Sequence, residues 1–309
     1  MPETASMHPA LTVLSEDEAM FRDAVRDFSE SEIRPRIGGM EQNGRYDEGL
    51  LKSLFDMGLM GVDIPEELGG AGGTFFQSIL AVEEVSRVDA AVGVMVDVQN
   101  TLFNNAIARW GTAEQKKEFL GRVATDTVGA YALSEAGSGS DAFALKLKAD
   151  QDGEHWVLNG HKLWITNAGE ADLFLTFATI DTAKGYKGIT AFVVDRNDPG
   201  FSVGKRESKL GIKASSTCEL VYDNCRIPAD RVLGEVGKGY KIAIETLNEG
   251  RIGIGAQMVG VGQGALEAAC RYTKEREQFG KPIAAFQAVQ HQLARSATEL
   301  EAARLLVYN

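Results

Sequence analysis

The sequence predicts an α+β multidomain protein with a helical N-terminal domain, a central antiparallel β-domain and a C-terminal helical bundle. Apolar residues recur at helical spacing through the first part of the chain, strand-like runs replace them from Val128 to about Val232, and the helical period returns from Tyr240. Strands and helices do not alternate, which argues against a parallel doubly wound sheet. We therefore predict domains at residues 1–126, 127–232 and 233–309.

The composition indicates a globular protein with a substantial core. The chain of 309 residues is 44% hydrophobic and 8% aromatic, which supports a proper core. Its net charge of −12 argues against a nucleic-acid partner and against attachment to anionic lipid, because both need clustered Lys and Arg. A polyanionic small ligand is still compatible with a local basic or amide-rich pocket.

The cysteine, histidine and hydropathy patterns argue against disulfide bonds, a metal site and a membrane segment. Cys218, Cys225 and Cys270 show no CxxC spacing, and an odd number cannot all pair within one chain, so we expect reduced thiols in an intracellular protein. The histidines form no HExxH or His/Cys cluster, so we predict no metal site. No apolar run reaches about eighteen residues, and the N-terminus shows no signal or transit pattern. We predict no membrane insertion and see no targeting peptide.

Helix start and stop signals organise the N-terminal region. Ser15 and Glu18 form a capping box that begins a helix, and Pro35 is expected to end it. Thr112 and Gln115 form a second capping box. Further helices are predicted at 50–57, 77–87, 98–110 and 114–123, with a loop at 61–74.

The central and C-terminal regions carry their own local signals. The pair Asn159-Gly160 predicts a type I′ hairpin, because both positions tolerate positive φ. The run from Asn248 to Arg251 is expected to open a long helix. A last helix is predicted over Gln287–Tyr308, with Leu293, Leu300, Leu305 and Leu306 facing a bundle.

The segment SEAGSGSD, Ser134 to Asp141, is the first candidate for chemistry. It matches neither GxGxxG nor a P-loop, but it offers exposed backbone N–H groups and the hydroxyls of Ser134, Ser138 and Ser140 as donors to carbonyl or phosphate oxygens. A surface loop that closes the helical region onto the sheet is the alternative.

Three further stretches contain candidates for chemistry. Trp164, which the run HKLWITNA makes look buried, could flank an aromatic ring system while the Thr166 hydroxyl donates to a ring nitrogen; a core tryptophan at a strand end is the alternative. The run Asn248-Glu249-Gly250-Arg251 could bind a polar ligand or cap its helix. Arg276 is either a solvated charge at a helix end or a residue that points into an interface.

Four stretches in this order resemble the acyl-CoA dehydrogenase family of flavoproteins, and the resemblance covers nearly the whole chain. They are YALSEAGSGSD, LNGHKLWITNAGEADLF, LNEGRIGIGAQMVGVGQGALE and YTKEREQFGKPIAAFQAVQHQLA. The last two, together with GYKGITAFVVDR and KLGIKASSTCEL, are most similar to the short/branched-chain members.

The resemblance implies that FAD binds between the β-domain and the C-terminal helices. Ser134 would bond the pyrimidine edge, Trp164 would flank the ring, and Thr166 would donate toward N5. Arg276 and Gln287 would hold the FAD of a neighbouring subunit, so a homo-oligomer, a dimer of dimers, is implied. The full cofactor set implied is Tyr131, Leu133, Ser134, Gly139, Ser140, Trp164, Ile165, Thr166, Arg276 and Gln287.

The resemblance also implies a site for an acyl-CoA substrate. Ser140 would lie where the flavin and acyl-CoA sites meet. The other substrate-binding residues implied are Tyr186, Tyr240, Asn248, Glu249, Gly250 and Arg251.

The catalytic base is where the sequence departs from the family pattern. Most members carry a glutamate in a YEGT-like motif near the C-terminus, and no such motif occurs before Asn309. A minority place the base immediately before the arginine of the NEGR-like run, where this chain has Gly250. Glu249 is one residue back, a rotation of about 100° on a helix. We predict that Glu249 is not the base, that the base lies beyond Asn309, and that the chain is C-terminally incomplete.

The resemblance implies α,β-dehydrogenation of a short or branched-chain acyl-CoA to the 2-enoyl-CoA, with electrons passed to an electron-transfer flavoprotein. The alternatives are an acyl-CoA oxidase-like flavoprotein and a non-catalytic flavin- or CoA-binding protein. The expected location is the bacterial cytoplasm or the mitochondrial matrix.

Overall fold

A computed structural model describes residues 13–309, and the first part of this range is helical as predicted. Ser15 and Glu18 form the expected capping box. The helices of this region are α1 Glu16–Phe28, α2 Ile37–Asn43, α3 Glu48–Asp56, α4 Phe75–Val88, α5 Ala90–Asp97, α6 Asn105–Trp110, α7 Ala113–Gln115 and α8 Gly121–Thr125. The capping box of Thr112 and Gln115 begins α7.

The prediction that Pro35 ends the first helix is wrong. A π-helical turn, Ser29–Ile33, and a 3₁₀ turn, Arg34–Arg36, join α1 to α2. Pro35 occupies the start of the 3₁₀ turn, where its missing N–H leaves no unsatisfied hydrogen bond. The helical path ends instead at Gly44, whose φ of 60° is a left-handed conformation that glycine adopts easily.

Helix α4 is the central element of the helical region. A capping box of Thr74 and Gln77 begins it, as the S/T-x-x-E/Q pattern requires. Every residue from Ser78 to Arg87 is buried, because α1 packs against one side and the C-terminal helices pack against the other. The buried Glu83, Glu84 and Arg87 form ion pairs rather than facing solvent.

The central β-domain is a sheet with the strand order β6-β7-β3-β2-β4-β5-β8. Its ladders are antiparallel except that β1 pairs with β4 in parallel and β2 shares one parallel pair with β4. β4 and β5 are buried along their whole length. The strands are β1 Gly129–Ala132, β2 Lys148–Asp152, β3 His155–Thr166, β4 Leu173–Thr179, β5 Ile189–Asp195, β6 Phe201–Arg206, β7 Thr217–Pro228 and β8 Val232–Leu233.

The predicted hairpin at Asn159-Gly160 is wrong. Both residues lie inside β3, where a register shift between Leu158 and Gly160 marks a bulge. The turn between β2 and β3 lies earlier, where Asp152 pairs with His155 and Gly153 has a φ of 60°. The positive φ of Gly160 (138°) therefore belongs to a β-bulge. Bulges and tight turns both favour glycine because both require positive φ.

The C-terminal region consists of α9 Gly239–Glu275 and α10 Gln287–Tyr308, joined by the small hairpin β9 Glu277–Gln278 and β10 Lys281–Pro282. The helix α9 begins at Gly239, so the prediction that Asn248 to Arg251 open it is wrong, and no free helix N-terminal amides lie there. Of the leucines predicted to face a bundle, Leu306 is 79% exposed.

Glycines on α9 allow it to pack closely against α4 and α5. A Cβ on Gly260 would lie 2.2 Å from the Glu83 carbonyl oxygen, and one on Gly264 would lie 2.1 Å from that of Arg87. Backbone atoms cannot yield as a flexible side chain can, so only glycine fits at these two crossings. This close packing places the middle of α9 beside the ends of β1 and β3, where the candidate site lies.

The following two statements hold for residues 13–309. No helix within them has the length and apolar character that crossing a membrane requires. The same residues contain no group of three or more His, Cys, Asp or Glu side chains arranged to hold a metal ion.

Candidate functional site

Two adjoining cavities lie beside α9, one against the ends of β1 and β3 and the other against the segment from Asp97 to Leu102. The first, here called the β-side cavity, has a volume of ≈ 130 Å³. The second, the helix-side cavity, has a volume of ≈ 250 Å³. They share Val98, Leu102 and Leu247 as a common wall.

The β-side cavity brings together residues that the sequence separates by some thirty positions. The end of β1 and the residues after it form one part of the lining, and the end of β3 forms the other. The predicted site residues in the lining are Tyr131, Leu133, Ser134, Trp164, Ile165 and Thr166.

A buried ion pair holds these two parts together, and sequence reasoning missed it. The Lys162 ammonium donates to the Leu133 carbonyl oxygen (2.9 Å) and to Glu135 Oε1 (2.7 Å). Glu135 also accepts from the backbone N–H groups of Lys146 (2.7 Å) and Leu147 (3.0 Å). Burial lowers the pKa of Lys162 to about 8, although Glu135 opposes the shift. Both residues lie inside the quoted motifs, but nothing in the sequence pairs them.

One backbone hydrogen bond and one side-chain hydrogen bond also connect the elements that form the cavity wall. The Leu163 N–H donates to the Ser134 carbonyl oxygen (2.9 Å), which ties the loop after β1 directly to β3. The Tyr131 and Thr246 hydroxyls are hydrogen-bonded across 3.1 Å, which ties β1 to α9. These two hydrogen bonds hold Ser134 and Tyr131 in place in the cavity lining.

Trp164 is exposed, and its predicted burial is wrong. Its side chain is 54% exposed, and its φ is 59°, a conformation that is unfavourable for a large side chain. A register shift in the β3–β7 ladder between Lys162 and Ile165 accompanies it. The bulge turns the indole out of the sheet and into the opening of the β-side cavity.

The SEAGSGSD segment forms a compact turn. The backbones of Glu135 and Ser138 bond each other reciprocally (3.0 and 3.1 Å), and the buried Ser138 hydroxyl donates to the Asp141 carbonyl oxygen (2.9 Å). Ser138 is therefore used within the turn. Gly139 and Ser140 are exposed and lie outside the β-side cavity lining.

The helix-side cavity is almost wholly apolar and contains two of the predicted substrate residues. Gly250 and Arg251 line it, and the Arg251 guanidinium donates to Asn248 Oδ1 (2.5 Å). The remaining lining residues, which sequence reasoning missed, are Asp97, Val98, Leu102, Leu247 and Ile254.

Glu249 points away from this cavity. Its carboxylate accepts from the Asn105 amide and forms an ion pair with Arg109. It is absent from the linings of both cavities. A carboxylate committed to two donors on α6 is poorly placed to abstract a proton beside Gly250.

Tyr186 and Tyr240 meet at the start of α9. Their rings stand edge to face with centroids 4.9 Å apart, and the Lys187 ammonium lies 5.9 Å from the Tyr186 centroid. The segments that carry the two tyrosines also carry exposed lysines, which makes a basic region on an acidic chain. These are Lys184, Lys187, Lys238 and Lys241.

Arg276 and Gln287 do not join the other predicted cofactor residues. Both are exposed, one directly after α9 and the other at the start of α10. The Ile283 N–H donates to the Arg276 carbonyl oxygen (2.8 Å), so the hairpin between them is ordered. They line neither cavity.

Three family models match consecutive parts of the chain. They are the acyl-CoA dehydrogenase N-terminal domain at residues 15–127, the middle domain at 130–225 and the C-terminal domain at 237–309. A probable short/branched chain specific acyl-CoA dehydrogenase of Dictyostelium discoideum is 53% identical over 97% of this chain and 73% of its own length. The mitochondrial short/branched chain specific acyl-CoA dehydrogenase of Rattus norvegicus is 48% identical over 97% and 69%.

Solved structures show the same fold. Butyryl-CoA dehydrogenase from Megasphaera elsdenii matches with a TM-score of 0.93 and 40% identity, over 96% of this chain and 79% of that one. An acyl-CoA dehydrogenase from Bacillus anthracis complexed with FAD matches with a TM-score of 0.89 and 38% identity, over 96% and 50%.

Proposed function

Because this chain belongs to the acyl-CoA dehydrogenase family, we propose that it oxidises a short or branched-chain acyl-CoA to the 2-enoyl-CoA. Members of the family are oxidoreductases that use FAD. We propose further that the electrons pass to an electron-transfer flavoprotein.

The β-side cavity is the observation that carries this proposal. It gathers Tyr131, Leu133, Ser134, Ile165 and Thr166 around an exposed indole. The positive φ of Trp164 is a strained conformation of the kind that clusters at ligand-binding sites. An aromatic ring flanked by hydroxyls and apolar side chains fits a planar, polar-edged cofactor such as FAD.

Different residues of the chain would contact different parts of the flavin. Ser134 would bond its pyrimidine edge, Trp164 would cover one part of the ring, and the Thr166 hydroxyl would donate toward N5. Bound FAD would supply the hydride acceptor of the reaction. The Glu135–Lys162 pair fixes the backbone on both sides of Ser134 and Trp164, so the donors are held in place before the cofactor binds.

The helix-side cavity adjoins this wall and suits the acyl chain. Its lining is apolar, and Asn248 orients the Arg251 guanidinium at its edge. Ser140, Tyr186, Tyr240, Asn248, Gly250 and Arg251 are our proposed substrate-binding set. Glu249, which the resemblance also implies, is left out of the set because its carboxylate is bound to Asn105 and Arg109. The lysines that accompany Tyr186 and Tyr240 provide positive charge for the phosphates of CoA.

Glu249 is excluded from the role of base in this proposal. Its engagement by Asn105 and Arg109 supports a structural role that joins α6 to α9. We assign the base to none of the described residues.

The remaining parts of the proposal concern assembly and location. We propose that Arg276 and Gln287, both exposed, complete the FAD site of a neighbouring subunit in a dimer of dimers, and that Gly139 contributes a backbone contact to FAD. The three domains would divide at residues 1–126, 127–232 and 233–309. We place the protein in the bacterial cytoplasm or the mitochondrial matrix.

The test is an anaerobic titration of the purified full-length protein with butyryl-CoA, 2-methylbutyryl-CoA and longer acyl-CoAs. We expect short or branched acyl-CoAs to bleach the flavin absorbance, and an electron-transfer flavoprotein to restore it. Recovery in air alone at a comparable rate would favour an oxidase, and the absence of bleaching with every thioester would favour a binding protein.

A variant tests the assignment of Glu249. We expect Glu249→Gln to retain flavin bleaching, with Glu245→Gln, its partly exposed neighbour near Arg109 (3.7 Å), as the matched control. Complete loss of bleaching in Glu249→Gln alone would contradict the structural role.

A further inference from the structure

The helix-side cavity contains one buried acid, Asp97, that the proposed function does not use. Asp97 is the last residue of α5 and is 1% exposed. Its Oδ1 accepts from the Thr101 hydroxyl (2.9 Å). Within residues 13–309 no ion pair includes Asp97. A carboxyl without a cationic partner in an apolar site is costly and therefore unusual.

The helix α9 is shaped to admit this carboxyl. A Cβ on Gly253 would lie 1.9 Å from Asp97 Oδ1 and 3.0 Å from Thr101 Cγ2. One turn earlier, a Cβ on Gly250 would lie 2.6 Å from Leu102 Cδ2. The two glycines let α9 approach the segment from Asp97 to Leu102, so the acid occupies space that the backbone leaves for it.

The surroundings of Asp97 leave its charge uncompensated. The cavity lining is otherwise apolar except for Arg251, whose side chain is exposed and whose guanidinium is bound to Asn248. The neighbouring Glu249 is held by Arg109 and Asn105. Burial raises the pKa of Asp97 to about 7, so a substantial fraction is ionised at neutral pH.

We propose that Asp97 is a specificity determinant that excludes acyl-CoAs whose acyl chain ends in a carboxylate, an inference that rests on the proposed function. The apolar wall of Val98, Leu102, Leu247 and Ile254 accepts a saturated chain. A second carboxylate placed beside Asp97 meets a like charge at low dielectric, and the two cannot both ionise there. The cavity thus selects for uncharged chain ends.

The experiment compares butyryl-CoA with glutaryl-CoA, whose acyl chain ends in a carboxylate, on the full-length holoenzyme at pH 8. Dissociation constants are measured by calorimetry under anaerobic conditions. We expect the wild type to bind butyryl-CoA at least about tenfold more tightly than glutaryl-CoA, and Asp97→Asn to tighten glutaryl-CoA binding about tenfold with little change for butyryl-CoA.

Two further variants keep the test decisive. Asp97→Ala removes the charge even if the asparagine amide disturbs the Thr101 contact, and it is expected to tighten glutaryl-CoA binding in the same direction. Asp150→Asn removes an exposed negative charge on β2 and is expected to leave both affinities unchanged.

The outcomes separate the inference from the proposed function. If butyryl-CoA bleaches the flavin but both Asp97 variants still discriminate against glutaryl-CoA as the wild type does, the role of Asp97 is wrong. Equal binding of the two thioesters by the wild type also overturns it. If no acyl-CoA bleaches the flavin, the proposed function itself fails.

Discussion

Two buried acids, Glu135 and Asp97, differ in the partners that the fold gives them. Glu135 follows Ser134, which lines the β-side cavity, and Asp97 lines the helix-side cavity. Glu135 has an ammonium group and two backbone N–H groups as partners, whereas Asp97 has the hydroxyl of Thr101. The paired acid fixes the position of the loop after β1. The unpaired acid retains an unfavourable charge beside an open cavity, which is more typical of a group that acts on a ligand.

The largest expected effect comes from breaking the paired site. Lys162→Met leaves Glu135 buried and charged, so we expect the free energy of unfolding to fall by about 3–5 kcal/mol. Weaker retention of FAD should accompany the loss, since Lys162 also binds the Leu133 carbonyl oxygen. Urea denaturation and flavin release measure the two effects.

A double variant serves as the control for this pair. Lys162→Met combined with Glu135→Gln removes both charges and should regain much of the lost stability. If the double variant is as unstable as the sum of the single variants, the ion pair does not account for the effect.

The unpaired site should respond to pH in a way that the paired site does not. The folded-state pKa of Asp97, about 7, lies above its ordinary value of 3.8, so the protonated acid stabilises the fold at low pH and that contribution is lost as the pH rises through 7. The shift corresponds to at most roughly 4 kcal/mol.

Asp97→Asn isolates this contribution. The stability of the variant relative to wild type should rise between pH 4 and pH 8, as measured by urea midpoints at several pH values. Other carboxyls with raised pKa values, such as Asp63 at about 6, are shared by both proteins and cancel in the difference. A difference that does not change with pH would show that Asp97 is not buried in its ionised form.

The glycine that makes room for Asp97 should give a smaller effect. Gly253→Ala places a Cβ 1.9 Å from Asp97 Oδ1, and we expect the crowding to lower the free energy of unfolding by about 1–3 kcal/mol. Differential scanning calorimetry measures it, and Asp97→Ala in the same chain should relieve it.

Gly39→Ala is the matched substitution for comparison. A Cβ there has nothing within 4 Å, so its effect should be neutral or stabilising by about 0.5–1 kcal/mol, the usual helix preference for alanine. If Gly253→Ala behaves like Gly39→Ala, α9 is not tightly packed against Asp97 at this point.

Local signals account for the parts of the fold that could be predicted. The capping boxes at Ser15 and Thr112 begin helices because a side chain and a backbone three residues apart satisfy each other without help from the rest of the chain. The Asn159-Gly160 pair misled for the same reason, since a glycine at positive φ suits either a turn or a bulge. The pairing of Gly160 with Tyr222 on β7, a contact distant in sequence, decided between them.

The sequence by itself determined the order of helical and β regions, the stretches that form the β-side cavity and, through the resemblance, the family. The tertiary structure alone decided that Glu135 pairs with Lys162, that Glu249 turns toward Arg109 and that Asp97 stands unpaired beside Gly253. The physical reason is that the hydrophobic periodicity of a sequence indicates only which face of a helix or strand is buried. The partner of a buried charged side chain depends on which other element packs against that face, and only the tertiary structure determines this.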